Sequence, residues 1–193
     1  MPAIIGVDLF ILEKMVITKI QAIQTDFDGH LFRSRIEARW AAFYKFLGIP
    51  YEYEKEGFYL NGKSYLPDFW LPDQDCWVEI KGAIPVEEEE NKVRLLADYS
   101  RKKVFIFFGG IPNPHPEKNG SSAYFYMYPF FYDTDYFWYR CVYCKKLAIN
   151  REGRSQRFSC RTKKCPIDGN RDGTFDQEII EAYNHARKQR FGR

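Results

Sequence analysis

The chain has 193 residues, 45% of them hydrophobic and 28% charged, with a formal net charge of +3 at pH 7. That length allows one core domain with a small appendage and excludes two full domains, and that balance excludes a disordered chain. The opening MPAIIGVDLFILEKMVITKI is interrupted by Asp8, Glu13 and Lys14, so no export signal is expected; with four of five cysteines clustered near the C-terminus, a reduced, cytoplasmic compartment is expected rather than a secreted disulfide framework.

In chain order, Ser34 to Leu47 predicts a helix with Ile36, Trp40, Phe43 and Leu47 on one face and Gly48 as its stop. Tyr51–Leu60 and Lys63–Leu71 predict two strands joined across Asn61-Gly62, the dipeptide of a tight hairpin. A third strand is expected over Cys76–Lys81. A second helix then runs from Pro85, suited to a first helical turn, to about Arg101. Val104–Phe108 is a short apolar run of the kind buried on both faces of a sheet, closed by Gly109-Gly110. The core therefore predicts an α/β (α+β) arrangement, a mixed sheet with helices packed on it. Ile111–Gly120 is expected as a loop. The aromatic stretch Tyr124–Tyr139, too polar to span a membrane, is expected as strand and turn. A last helix is expected from about Phe175 to Arg190, with Thr174 and Gln177 spaced as a capping box.

Within Cys76–Lys81, alternation puts Trp77, Glu79 and Lys81 on one face and Cys76, Val78 and Ile80 on the other. A carboxylate and an ammonium on a central strand are costly unless they pair or bind something. Asp68 in the preceding strand could converge with Glu79 if the two strands are antiparallel neighbours. Such a set suits phosphodiester hydrolysis: hard oxygen ligands for Mg²⁺ or Mn²⁺, and a lysine to position water and offset charge on phosphate.

Leu66-Pro67-Asp68-Phe69 followed by Val78-Glu79-Ile80-Lys81-Gly82 closely resembles the PD-(D/E)xK nuclease superfamily, with its restriction-endonuclease-like fold. The wider string, over roughly residues 20–190, looks like small nucleases of bacteriophages and mobile elements. The resemblance implies a nuclease, its cut internal (endonuclease) or from an end, in which Asp68, Glu79 and the Ile80 carbonyl hold Mg²⁺ or Mn²⁺ and Lys81 is the catalytic lysine. Glu37 occupies the place of a glutamate that this family often adds from its first core helix. Ser34-x-x-Glu37 is equally a capping box that closes the helix start, and both roles stand. Some branches carry a glutamine on the helix after the lysine strand; this chain has Lys92, Arg94 and Tyr99 there instead.

Cys141-x2-Cys144 and Cys160-x4-Cys165, fifteen residues apart, have the spacing of a structural Zn²⁺ site closed by four thiolates; disulfides or free thiols are the alternatives. Cys76 lies outside the set and is expected as a buried thiol. Residues 141–193 carry thirteen Lys/Arg against six Asp/Glu, a tail of +7 on a body of −4. Lys145, Lys146, Arg151 and Arg154 around the cysteines, with Arg33 and Arg35 near the first helix, are candidates for phosphate contact; a solvated surface is the alternative. His115 could act as a general acid, although a lone loop histidine is more often surface. The division expected is a nuclease-like core over 1–135 and a zinc-binding region with a final helix over 136–193.

The leading expectation is a metal-dependent nuclease acting on DNA, as a homodimer or in a larger protein assembly. A non-catalytic nucleic-acid-binding module and an interaction subunit of a phage or defence assembly are the alternatives.

Overall fold

The computed structural model describes residues 22–112, 121–127, 130–141, 145–151 and 176–192. The described chain begins with a hairpin of β1 (Thr25–Phe27) and β2 (His30–Phe32), turning through Asp28 and Gly29 at φ 50° and 79°. Helix α1 (Arg35–Leu47) starts at Ser34, whose hydroxyl accepts the Glu37 N–H at 3.3 Å. It stops at Gly48, where φ 65° lets the glycine N–H reach back to the Lys45 and Tyr44 carbonyls.

Four short strands follow: β3 (Glu52–Tyr53), β4 (Phe58–Leu60), β5 (Lys63–Tyr65) and β6 (Phe69–Leu71). The two longer strands expected here are thus each divided. Glu54 at φ 47° breaks the first, and Pro67, which has no N–H to donate, breaks the second. The Asn61-Gly62 turn between β4 and β5 forms as expected, both residues at positive φ.

A 3-10 turn (Pro72–Gln74) leads into β7 (Cys76–Lys81), and helix α2 (Glu87–Ser100) carries the chain over to β8 (Lys103–Phe108), parallel to β7. Helix α2 starts two residues later than expected. Its cap is at Val86, where the Glu89 carboxylate accepts the Val86 N–H at 3.0 Å, leaving Pro85 ahead of the helix. Strands β9 (Ser121–Met127), β10 (Phe130–Arg140) and β11 (Leu147–Arg151) continue antiparallel to one another. Helix α3 (Gln177–Lys188) begins at Asp176, whose carboxylate accepts the Glu178 and Ile179 N–H groups. Asp176, rather than Thr174, is the described cap.

The fold is mixed α and β. Its main sheet has the order β11-β10-β9-β8-β7-β6-β3, in which only β7 and β8 are parallel. One face packs on α1 and α3: Trp40 stacks on Phe107 at 4.7 Å, Phe43 lies against Tyr183 at 4.5 Å, and Cys76, Val78 and Ile80 of β7 are buried with them. The other face packs on α2 and the β4–β5 hairpin through Trp77, Val104, Ile106, Leu96 and Leu60. The boundary expected after residue 135 falls inside β10, and Ile179, Ala182 and Tyr183 of α3 belong to the same core as α1. Strand continuity and that shared apolar burial make these C-terminal segments part of the central architecture. Among the described residues no helix is long and apolar enough to cross a membrane.

Candidate active site

Strand β7 sorts its side chains by parity, and its two faces carry different chemistry. Trp77 packs into the α2 core while Glu79 and Lys81 continue the same face toward the strand's C-terminal end. On the neighbouring strand, Phe69 pairs with Val78 and Trp70 with Trp77. One step earlier, Asp68 lies on the face of Trp70 and comes beside Glu79. Asp68 and Glu79 are 2% and 5% exposed, a degree of burial that a charge tolerates only with strong partners.

Those partners are present. Asp68 Oδ1 accepts from the Arg33 guanidinium at 2.5 Å and Oδ2 from the Ile80 N–H at 2.7 Å. Glu79 Oε1 lies 2.8 Å from the Lys81 ammonium, and Oε2 accepts from the Tyr65 hydroxyl at 2.9 Å. Lys81 also reaches Glu89 at 3.3 Å, and Arg33 reaches Glu54 at 2.8 Å. Even so, burial, and after it the charges of Glu79 and Glu37, push the Asp68 carboxyl well above its ordinary range. Burial works to lower the Lys81 ammonium, but Glu79 and Glu89 outweigh it and hold it above its usual value. Burial, reinforced by Glu79, pushes the Tyr65 hydroxyl up, so it stays a donor.

A cleft of about 630 Å³ opens over this set, lined by Arg33, Tyr59, Ser64, Tyr65, Glu79 and Lys81, with Glu89 and Lys92 on the α2 side. It lies over the C-terminal half of β7, where Glu79 and Lys81 line it.

Glu37 is buried nearby, with its two oxygens taken by the Ser34 hydroxyl at 2.5 Å, the Tyr53 hydroxyl at 2.7 Å and the Arg33 N–H at 3.2 Å. It closes the start of α1, and its charge is felt at Asp68. Arg33 stands on Asp68 and Glu54 with half its side chain exposed to the cleft. Arg35 is exposed at the first residue of α1, and Lys145 and Lys146 are exposed ahead of β11. Cys76 is fully buried, as expected. Cys141 is buried too, and its backbone closes a turn: its N–H donates to the Lys146 carbonyl and its carbonyl accepts from the Lys145 N–H. Cys144, Cys160, Cys165, Arg154 and His115 lie outside the described residues, as does the Arg151 side chain.

Among the described residues no three His, Cys, Asp or Glu side chains meet in a ready metal-binding group. All four oxygens of Asp68 and Glu79 face protein donors. Tyr65, Glu89 and Glu54 are partners that sequence reasoning missed. Glu89 stood in the acidic run Glu87–Glu90, where its position as third residue of α2 was the available signal; Tyr65 and Glu54 carried none, because their partners come from other strands and loops. Comparisons with protein-family models, with curated proteins and with solved structures returned no significant match.

Proposed function

We propose that the chain is a metal-dependent nuclease of the PD-(D/E)xK type, restriction-endonuclease-like in its core, that hydrolyses phosphodiester bonds of DNA. The observation that carries this reading is that Glu79 and Lys81, on one sheet face, line an open cleft with Asp68 buried beside Glu79. A structural ion pair alone accounts poorly for two neighbouring buried carboxylates, one of them held well above its ordinary range by burial and by the charge of the other.

The donor set fits a divalent cation. Asp68, Glu79 and the Ile80 carbonyl offer hard oxygens of the kind Mg²⁺ and Mn²⁺ take, and a cation would relieve the repulsion that raises Asp68. When bound, it supplies polarisation of the phosphoryl oxygens and a lower pKa for water at the site. Lys81, held protonated by Glu79 and Glu89, orients that water and offsets charge developing on phosphate. Arg33 releases Asp68 and turns its guanidinium to a phosphate oxygen, for which its planar fork is suited. Tyr65 fixes the Glu79 carboxylate. Lys145, Lys146 and Arg35 hold the nucleic acid away from the reacting bond. A structural Zn²⁺ on Cys141, Cys144, Cys160 and Cys165 is supported by the sequence spacing and by the turn closed at Cys141. The clustered cysteines suit a reduced, cytoplasmic compartment, and such a nuclease would act as a homodimer or in a larger assembly.

The test compares the protein with Lys81→Ala on supercoiled plasmid, linear duplex and single-stranded DNA, in Mg²⁺, in Mn²⁺ and in EDTA. Metal-dependent cutting should fall by about 10²-fold or more in the variant, with its melting temperature little changed. If neither protein cuts any substrate while both bind DNA equally, a non-catalytic binding module replaces the nuclease.

A further inference from the structure

The β4–β5 hairpin forms one wall of the cleft, and its two faces are unequal. On the inner face, Phe58 meets the edge of Trp77 at 5.3 Å and Tyr99 at 6.0 Å, while Leu60 and Tyr65 are buried against α2. Alternation sends Tyr59 the other way, directly across from Ser64. Both line the cleft, and Tyr59 is 74% exposed, the most exposed large hydrophobic side chain among the described residues. The tight Asn61-Gly62 turn fixes the register. A ring on a strand pinned from behind is already placed, so a ligand stacking on it pays little ordering entropy.

The surroundings say what kind of ligand would meet it. The cleft volume is in the range of sites for single small ligands, and Arg33, Lys81 and Lys92 bring cations to its walls. Beside it, Lys63 and Lys92 share a single carboxylate, Glu88, at 3.0 and 3.5 Å, so this trio carries one more positive than negative charge and can meet a phosphate. In a duplex the base faces are covered by one another, and a protein reaches phosphates and base edges. A tyrosine ring meets the face of a base only where the strand is unpaired.

Resting on the nuclease reading of Glu79 and Lys81, we infer that Tyr59 stacks on a base of an unpaired DNA strand whose backbone crosses the cleft, so that single-stranded or locally unpaired DNA is the substrate. The hairpin then supplies selectivity for strand state, and the floor of the cleft supplies the chemistry.

The experiment measures fluorescence anisotropy of a labelled oligothymidylate, and of a labelled duplex of equal length, in EDTA so that the strands stay intact. Tyr59→Ala should weaken single-strand binding about tenfold, ~1.4 kcal/mol, and leave duplex binding unchanged, whereas Tyr59→Phe and Tyr59→Trp should bind the single strand as the parent does. Equal single-strand affinity for the parent and Tyr59→Ala overturns the inference, and so does tighter binding of the duplex than of the single strand by the parent. The cleavage assay on Lys81→Ala separates the two readings. Loss of stacking with cutting still dependent on Lys81 removes only the role of Tyr59, while stacking that persists without any cutting keeps the single-strand surface and removes the nuclease.

Discussion

The two faces of β7 are buried to nearly the same degree and are held in different ways. Cys76, Val78 and Ile80 sit among the side chains of α1 and α3, where Trp40, Phe43 and Tyr183 close a dense aromatic core. Glu79 on the opposite face is 5% exposed, against 0% for Val78, yet it pairs with the Lys81 ammonium and accepts from the Tyr65 hydroxyl, beside an Asp68 that accepts from Arg33. Apolar burial is non-directional and tolerates repacking. The polar face depends on particular atoms at hydrogen-bond distance, so each loss there leaves a buried group without its partner. The first face is built for stability, and the second keeps charges in place at a cost that stability alone does not explain.

The largest expected effect breaks this contrast from the apolar side. Trp40→Ala removes the ring stacked on Phe107 and should cost about 3–5 kcal/mol in chemical denaturation; a loss under about 1 kcal/mol would mean that the α1 face is not the stabilising one. On the polar face, Tyr65→Phe deletes one hydroxyl and keeps the packing. Its expected signature is an Mn²⁺ affinity lower by about 10- to 100-fold in titration calorimetry, with a stability change of only about 0.5–1.5 kcal/mol. Unchanged Mn²⁺ binding would show that Tyr65 serves packing alone.

A pH experiment sharpens the same comparison. The folded Asp68 carboxyl holds its proton more tightly than the unfolded one, so its contribution to stability is greatest below about pH 4, the ordinary aspartate range, and is lost as pH rises through its folded value. Asn cannot ionise. In EDTA, the melting temperature of Asp68→Asn should therefore fall less than the parent's between acid and neutral pH, by about 2–4 °C for each kcal/mol removed, and Mg²⁺ should stabilise the parent alone. Parallel melting curves for the two proteins across that range would contradict the crowding of charge at Asp68.

The smallest effect is expected from Glu89→Gln. The amide can still accept the Val86 N–H that caps α2, so only the charge beside Lys81 is removed. The cost in stability should be about 0.5 kcal/mol or less. The Lys81 ammonium should lose its proton at lower pH, because one of the two carboxylates that outweigh its burial is gone. An alkaline limb of the cleavage profile that does not move would assign Glu89 to the cap only.

Parity along a strand is written in the sequence, and so are its consequences. The period of two assigns Glu79 and Lys81 to one face and Ile80 to the other, and the Asn61-Gly62 turn marks where two neighbouring strands meet. The limits of α1 were equally legible in Ser34 and Gly48, because caps act locally. Ligands for a cation and a lysine beside them could be proposed from those residues alone. The tertiary structure decided which groups meet them. Tyr65 and Glu79 are 14 residues apart, Arg33 and Asp68 are 35 apart, and no local pattern ties either pair. It also decided that α3 joins the core of α1 and that the hairpin turns Tyr59 to the cleft, since both depend on which faces of distant elements bury against each other. Local periodicity determines where a side chain points from its own element, and only the packing of elements determines what it points at.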